Sequence, residues 1–218
     1  MDIRSQEKRI FDTWKSIRPS CVSDGVVDVD EYLASPLKLL FVLKEVNDLN
    51  GGSWDLRDFL RKGGRWQTWD NVTRWIEGIR HLPDEVAWED LKNIDDKRRK
   101  AALCTVAVVN VKKTPGGDTS DTARLVEEAQ EDSALLNQQL NVYGADLLIC
   151  CGSVVGSIIK KRTDIGKKAT WRMTARGTVF GRVSNGPTII LYSHPEARIA
   201  PNILHYGLMD AVQLGLGK

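Results

Sequence analysis

Four short apolar runs, each ending abruptly in a polar or glycine-containing tip, constrain the fold of this chain most. They are Leu37–Leu43, Leu103–Val111, Asp146–Cys151 and Thr188–Tyr192. Continuous runs rich in Val, Ile and Leu are typical of parallel strands that are buried on both faces. Segments with helical spacing lie between the runs, so strand and helix alternate. The sequence therefore predicts a three-layer α/β/α fold with a mostly parallel central sheet of about four strands.

The remaining patterns complete this prediction. Apolar residues at helical spacing predict helices around Ile10–Ile17, Trp69–Ile79, Asp121–Tyr143 and Leu204–Leu216, and Thr178–Val183 is expected to pair with Thr188–Tyr192. We expect a single domain over residues 1–218, with residues 1–36 as an N-terminal helical extension.

Composition narrows the class of protein. A hydrophobic fraction of 42% and a charged fraction of 28% are ordinary for a globular chain. No apolar run has the length of a membrane span, and the first residues lack the apolar core of a signal peptide. The four cysteines show no paired metal-ligand spacing, and Cys104, Cys150 and Cys151 lie within predicted strands. We therefore expect a cytoplasmic monomer with reduced thiols, no metal and no membrane partner.

The tips of the four runs carry the chemistry. In chain order they are Lys44–Asp48, Asn110–Gly117, Cys151–Ser153 and Ser193–Arg198. Pro195 cannot donate to a strand ladder, so the last run stops with His194 at its carboxyl end. Ligands of open α/β sheets bind at the carboxyl ends of the strands. We therefore expect Glu, Asn, Ser and His side chains to meet at one edge of the sheet.

These four tips, in this order, resemble the uracil-DNA glycosylase superfamily over roughly residues 37–216. Val106–Gly117 most resembles the corresponding segment of its iron–sulfur branch, but Thr114-Pro115 stands where that branch has a cluster cysteine. We therefore expect no iron–sulfur cluster and no other cofactor. The resemblance implies a DNA glycosylase that flips a pyrimidine out of the helix and hydrolyses its N-glycosidic bond, with double-stranded or single-stranded DNA as partner.

The resemblance also implies a role for each tip. The catalytic residues would be Glu45, Asn47, Asp48 and His194, and the base-binding residues would be Asn110 and Trp54. The DNA-binding residues would be Lys112, Lys113, Gly152, Ser153, Ser193 and Arg198, with Arg198 or Ile199 filling the gap left by the flipped base.

These residue types suit the reaction. Cleavage of an N-glycosidic bond passes through an oxocarbenium-like sugar, which a carboxylate stabilises directly or by orienting water. A histidine that donates to the pyrimidine O2 stabilises the departing base. The side chain of Asn110 has both donors and an acceptor, so it can read a Watson–Crick edge. The base must leave the stack, which costs a few kcal/mol that phosphate contacts must offset.

Several alternatives remain open at this level. Either Glu45 or Asp48 is the main carboxylate, with motif alignment favouring Glu45. Asn47 orients water or caps a turn, and Trp54 stacks on a base or packs at the surface. The function is base release in host defence or in base-excision repair, or DNA binding without catalysis on the same fold.

Two further segments bear on substrate and partner. Between residues 160 and 182 only Asp164 offsets a set of cations, which predicts either a phosphate-binding surface or a solvated loop. The cations are Lys160, Lys161, Arg162, Lys167, Lys168, Arg172, Arg176 and Arg182. In uracil-specific members of the superfamily that the tips resemble, a bulky group near the first motif excludes a 5-substituent, whereas here Asn50-Gly51-Gly52 follows that motif with little side-chain volume. Either these glycines form a turn remote from the base and Trp54 closes the pocket, or they leave a wide base pocket. Such a pocket admits a pyrimidine larger than uracil, such as 5-hydroxymethylcytosine or its glucosylated form, as found in some bacteriophage DNA.

Overall fold

The structure, a computed structural model, describes residues 2–48, 51–117 and 121–217. Its strands are β1 (Gly25–Val26), β2 (Leu39–Leu43), β3 (Ala107–Asn110), β4 (Leu147–Cys151), β5 (Thr170–Met173), β6 (Val179–Arg182) and β7 (Thr188–Tyr192). Its helices are α1 (Ile3–Ile17), α2 (Val29–Ala34), α3 (Leu56–Arg61), α4 (Trp66–His81), α5 (Trp88–Leu91), α6 (Asp96–Cys104), α7 (Thr122–Glu131), α8 (Ser133–Val142), α9 (Ser153–Arg162), α10 (Asp164–Lys168) and α11 (Pro201–Leu216).

The strands form one mixed sheet. Over the described residues it has seven strands in the order β1-β3-β2-β4-β7-β6-β5. The four predicted runs form its centre, where β3, β2, β4 and β7 are mutually parallel. The prediction of a mostly parallel sheet of about four strands was wrong for the sheet as a whole, because antiparallel strands extend both edges and make it mixed. β1 is too short to show a period, and β5 is largely exposed, so neither carries the apolar signal of a buried strand.

Helices cover both faces of the sheet and create two cores. Phe41 of β2 packs on one face with residues of α3, α4 and α11, whereas Val42 packs on the other with residues of α1, α7, α8 and α9. This split follows from the alternation of side chains along a strand. The α/β class and the layering predicted from the sequence are therefore confirmed.

Two predicted elements have different boundaries. The run Leu103–Val111 is divided between the end of α6 and β3, so Cys104 lies in a helix. Periodicity cannot separate a helix end from a strand within one continuous apolar run. The long helix predicted over 121–143 is interrupted at Asp132, whose carboxylate accepts hydrogen bonds from Trp14 and Arg18.

The first 36 residues are part of the core. β1 pairs with β3, and Trp14 of α1 is completely buried. The segment predicted to be an N-terminal helical extension therefore packs into the core and adds a strand to the sheet. None of the helices within the described ranges combines the length and apolar character that a membrane crossing requires.

The connections between strands create a crevice at one edge of the sheet. The chain leaves β2 and β7 toward the face that holds α3, α4 and α11, and it leaves β3 and β4 toward the opposite face. Adjacent strands whose connections leave in opposite directions open a crevice outside their carboxyl ends. The fold therefore places a ligand-sized depression where the polar tips lie.

Candidate active site

A cavity of about 660 Å³ lies at this edge. Its walls come from the tips of β2, β3 and β7 and from α3 and the first turn of α4. The lining residues include Leu43, Lys44, Glu45, Val46, Asn47, Asp48, Trp54, Leu56, Phe59, Arg65, Thr68, Trp69, Asn110, Gly117, His194 and Glu196. The volume lies in the range of small-molecule sites. All four predicted catalytic residues and both predicted base-binding residues are among these lining residues.

Glu45 lies in the wall with its side chain only 6% exposed. Its Oε2 pairs with the ammonium group of Lys112. Its Oε1 is buried and has no hydrogen-bond partner among the described residues. A buried carboxylate oxygen without a partner is costly, so this atom has unused capacity to accept a hydrogen bond.

The loop after β2 is joined to the loop after β3 beyond the ends of both strands. The amide of Gly116 donates to Val46 O (2.9 Å), and the amide of Asp48 donates to Gly116 O (3.0 Å). The ammonium of Lys112 also donates to the carbonyl groups of Thr114 (2.9 Å) and Pro115 (3.1 Å). The tip of β3 therefore holds Glu45 in place.

Asp48 is engaged in the loop that follows it. Its Oδ2 accepts the indole N–H of Trp54 (2.8 Å) and the amide of Gly52 (3.1 Å). Trp54 in turn packs edge-on against Phe59, with ring centroids 6.1 Å apart. Asp48 and Trp54 are therefore bound to each other within this loop, and the indole of Trp54 is in packing contact with Phe59. Asn47 is exposed at the cavity and forms a bridge with Gly116.

Asn110 is the last residue of β3 and is 3% exposed. It lies one strand away from Glu45, because β2 and β3 pair in parallel with Leu43 opposite Asn110. Asn110 lines the cavity. This arrangement suits the recognition of a polar ring edge.

His194 lies in the wall formed by the tip of β7. Its Nδ1 accepts the amide N–H of Glu196 (3.1 Å), so the neutral ring carries its proton on Nε2. Burial lowers the pKa of His194, and the neighbouring Lys44 acts in the same direction against the opposing influence of Glu196. Protonation of Nδ1 would also place two donors against each other. His194 is therefore a neutral hydrogen-bond donor near pH 7.

Helix α4 holds the histidine-bearing loop. Asn71 donates to the carbonyl of Pro195 (2.7 Å), and Arg74 donates to Asn71 Oδ1 (2.7 Å). Thr68 donates to the carboxylate of Glu196. The tip of β7 is thus fixed by the helix whose first turn also lines the cavity.

Gly152 and Ser153 lie at the same sheet edge but do not line the cavity. Gly152 has a φ of 104° and opens α9, and no side chain caps the first amides of this helix. Uncapped amides at a helix N-terminus attract anions. The amide of Gly152 itself donates to Tyr192 O (2.8 Å), which ties this turn to β7 just before Ser193.

The prediction that Lys112 and Lys113 contact DNA is wrong. The side chains of Lys112 and Lys113 are 4% and 0% exposed, and their ammonium groups pair with Glu45 and Asp24. A buried, paired ammonium cannot reach a phosphate, so both lysines support the site from inside. Arg198, by contrast, is exposed on the loop that carries His194, although it does not line the cavity.

The basic segment does not surround the cavity. α9 runs back along the sheet from the carboxyl end of β4, so Lys160–Arg162, Lys167 and Lys168 lie at the opposite edge. Arg182 binds the last carbonyl groups of α11, and Arg176 pairs with Asp210. The cations are close together in the sequence, which suggested one basic surface, but the fold places them in different parts of the protein.

The structure does not support the prediction that Asn50-Gly51-Gly52 widens the pocket. Neither Gly51 nor Gly52 lines the cavity, and Gly52 is packed against the backbone of Ser20. Asn50 lies outside the described residues. Trp54 is the residue of this loop that reaches the cavity, so the glycine pair does not widen the pocket.

Sequence reasoning missed three polar residues of the cavity wall. Arg65 and Thr68 lie at the start of α4, where helical spacing predicts only the buried apolar face, and Glu196 lies two residues after His194. The proximity of Glu196 to His194 in the sequence was an available signal. Nothing in the sequence links α4 to the strand tips.

Comparison of the chain with protein-family models and with curated proteins found no match. Among the described residues, no group of three His, Cys, Asp or Glu side chains is placed to hold a metal ion.

Proposed function

We propose that this chain is a DNA glycosylase that flips out a pyrimidine and hydrolyses its N-glycosidic bond. The observation that carries the proposal is the meeting of Glu45, Asn110 and His194 in one cavity, each from the tip of a different parallel strand. The reaction needs a carboxylate, a group that reads a ring edge and a neutral donor. These are the three chemical functions that line the cavity.

The geometry favours an electrostatic role for Glu45. Its carboxylate is buried and held by Lys112, so it has little freedom to move. A fixed negative charge in a water-poor site stabilises the developing oxocarbenium ion without reorganisation. The unpartnered Oε1 adds the capacity to accept a hydrogen bond from an attacking water.

His194 and Asn110 would act on the base. The Nε2–H of neutral His194 would donate to the pyrimidine O2 as negative charge develops there. The carboxamide of Asn110 would pair with the Watson–Crick edge and select the base. Ser193, Arg198 and the uncapped amides after Gly152 would bind phosphates on either side of the flipped nucleotide.

We propose that the base is larger than uracil, with 5-hydroxymethylcytosine and its glucosylated form as substrates in defence against bacteriophage DNA. The support is the cavity volume of about 660 Å³, which exceeds the space that an unsubstituted six-membered ring needs. The polar side chains of Arg65, Thr68 and Glu196 provide hydrogen-bonding groups for a substituent.

Abasic-site formation tests the proposal. Labelled duplexes and single strands carrying uracil, hydroxymethylcytosine or glucosylated hydroxymethylcytosine are incubated with the protein and cleaved with alkali. We expect cleavage at the modified cytosines, strongly reduced in Glu45→Gln. Glu77→Gln is the matched control, because Glu77 is a paired carboxylate on α4 that does not line the cavity.

The other outcomes are equally clear. Release of uracil alone would overturn the larger substrate and favour a repair enzyme. Binding of DNA without abasic sites on any substrate would overturn catalysis and favour the binding module.

A further inference from the structure

A buried polar cluster lies directly behind Asn110. It consists of Asp24, Lys113 and Gln139, whose side chains are completely buried. The ammonium of Lys113 lies 2.8 Å from both carboxylate oxygens of Asp24. Gln139 donates to Asp24 Oδ1 (2.7 Å) and accepts from Lys113 (2.8 Å). None of the three lines the cavity, so a direct contact with substrate is excluded.

The ion pair between Asp24 and Lys113 holds the backbone of Asn110 on both sides. Asp24 Oδ2 accepts the amide N–H of Asn110 (2.8 Å). The ammonium of Lys113 donates to the carbonyl oxygen of Asn110 (2.8 Å). Both polar backbone groups of one residue are therefore bound by two oppositely charged side chains.

The sheet explains why these side chains are needed. β1 pairs with β3 only at Gly25–Val108 and Val26–Ala107. The ladder on that side has ended before Asn110, so its backbone groups have no strand neighbour there. Buried backbone groups require partners, and the ion pair supplies both. Helix α1 closes the cluster, because Trp14 lies beneath the ammonium with its ring centroid 4.6 Å away.

We propose that the Asp24–Lys113 pair positions Asn110 for base recognition, an inference that rests on the proposed function. A buried ion pair adds little net stability compared with apolar residues of similar size, so its contribution lies in geometry. Successive strand residues face opposite sides of the sheet. A twist of the backbone at Asn110 would therefore turn its carboxamide away from the cavity. Asp24 and Lys113 are positioning residues that act through Asn110.

A double-mutant cycle tests this role. Single-turnover base release at saturating enzyme is measured for wild type, Asp24→Asn, Asn110→Ala and the double variant, with folding checked by circular dichroism. Displacement of a contact by about 1 Å costs on the order of 10²-fold in rate, and we expect a loss of this size for Asp24→Asn. In the Asn110→Ala background, Asp24→Asn should cause no further loss, because the residue through which it acts is already removed.

Glu77→Gln is the control: Glu77 is a part-buried carboxylate that pairs with Arg98, and it neither lines the cavity nor contacts the Asp24–Lys113 pair. Its rate should equal that of wild type. If Asp24→Asn does not fold, Gln139→Leu replaces it in the cycle, since it loosens the ion pair without leaving a charge unpaired. Additive losses, or a wild-type rate in the tested variant, would overturn the positioning role alone. Absence of base release by the wild type would overturn the proposed function and this role together.

Discussion

The Cα of Gly116 lies against the carboxylate of Glu45, so closely that a Cβ at position 116 would lie well within 3.0 Å of it. The tip of β3 therefore has room for the carboxylate only because residue 116 is glycine. Gly116 donates a backbone hydrogen bond to Val46 and accepts one from Asp48, and these two bonds hold the loops at this distance.

Gly116→Ala should therefore displace Glu45 and slow base release by about 10²-fold, in line with a shift of about 1 Å at a catalytic group. Single-turnover rates and thermal unfolding measure the effect. Gly144→Ala is the control: Gly144 has a φ of 54°, so a side chain there should lower stability, but a Cβ meets no atom within 4 Å and the residue does not line the cavity, so base release should not slow. An unchanged rate in Gly116→Ala would show that the position of Glu45 does not matter for the reaction.

His194→Ala should slow base release by about 10²–10³-fold, the usual cost of one donor to a developing negative charge. The ring is held by the amide of Glu196 rather than by the core, so the fold should survive. His81→Ala is the control, since His81 is exposed at the end of α4. Near-normal single-turnover rates in His194→Ala would remove this histidine from the mechanism.

Glu45→Gln and Asp48→Asn should have different effects. Glu45→Gln removes the charge from the cavity wall, and we expect a rate loss of about 10²-fold or more. Asp48→Asn weakens the hydrogen bonds to Trp54 and Gly52, so it should mainly lower the free energy of unfolding, by about 1–3 kcal/mol. Chemical denaturation and single-turnover assays separate the two quantities. The reverse pattern would make Asp48 the main carboxylate.

The basic segment, residues 160–182, should not contribute to the salt dependence of DNA binding. Charge reversal at Lys167 and Lys168 should leave the slope of log K against log salt unchanged, because these residues lie at the opposite sheet edge from the cavity. Arg198→Ala should reduce the slope by about 1, as expected for one phosphate contact. Fluorescence anisotropy from 50 to 200 mM salt gives both slopes. A flattened slope in the double lysine variant would bring the basic segment back as a DNA-binding surface.

His205 should make the fold sensitive to acid. It is buried on α11, neither ring nitrogen has a hydrogen-bond partner among the described residues, and burial lowers its pKa to about 4. Between pH 6.5 and about 4, His205 is therefore protonated in the unfolded chain but remains neutral in the folded chain. The free energy of unfolding should fall as pH falls through this range, by up to a few kcal/mol at about 1.4 kcal/mol per pH unit.

Urea unfolding between pH 4 and 7 measures this effect. His205→Gln should flatten the pH dependence, whereas His81→Gln, at an exposed position, should not. Equal acid sensitivity in wild type and His205→Gln would assign the effect to other groups.

The sequence by itself determined the α/β class, the four parallel strands and the sheet edge at which Glu45, Asn110 and His194 meet. Each of these follows from local properties. Apolar runs specify buried strands, a proline ends a strand, and parallel strands end at a common edge. The core positions of α4 were predictable in the same way, because Val72 and Ile76 follow helical spacing and are completely buried.

Only the tertiary structure decided how each polar group is used. Lys112 and Lys113 read as surface cations, yet both are buried, because their partners Glu45 and Asp24 are 67 and 89 residues away in the chain. The cations of residues 160–182 follow the strand tip Cys151–Ser153 closely in sequence, but α9 carries the chain back along the sheet and away from the cavity, and Arg176 and Arg182 bind α11. Local sequence patterns indicate which residues are buried and which secondary structure they form. Which charges pair, and on which side of the molecule a charged segment lies, depends on contacts between residues far apart in the chain.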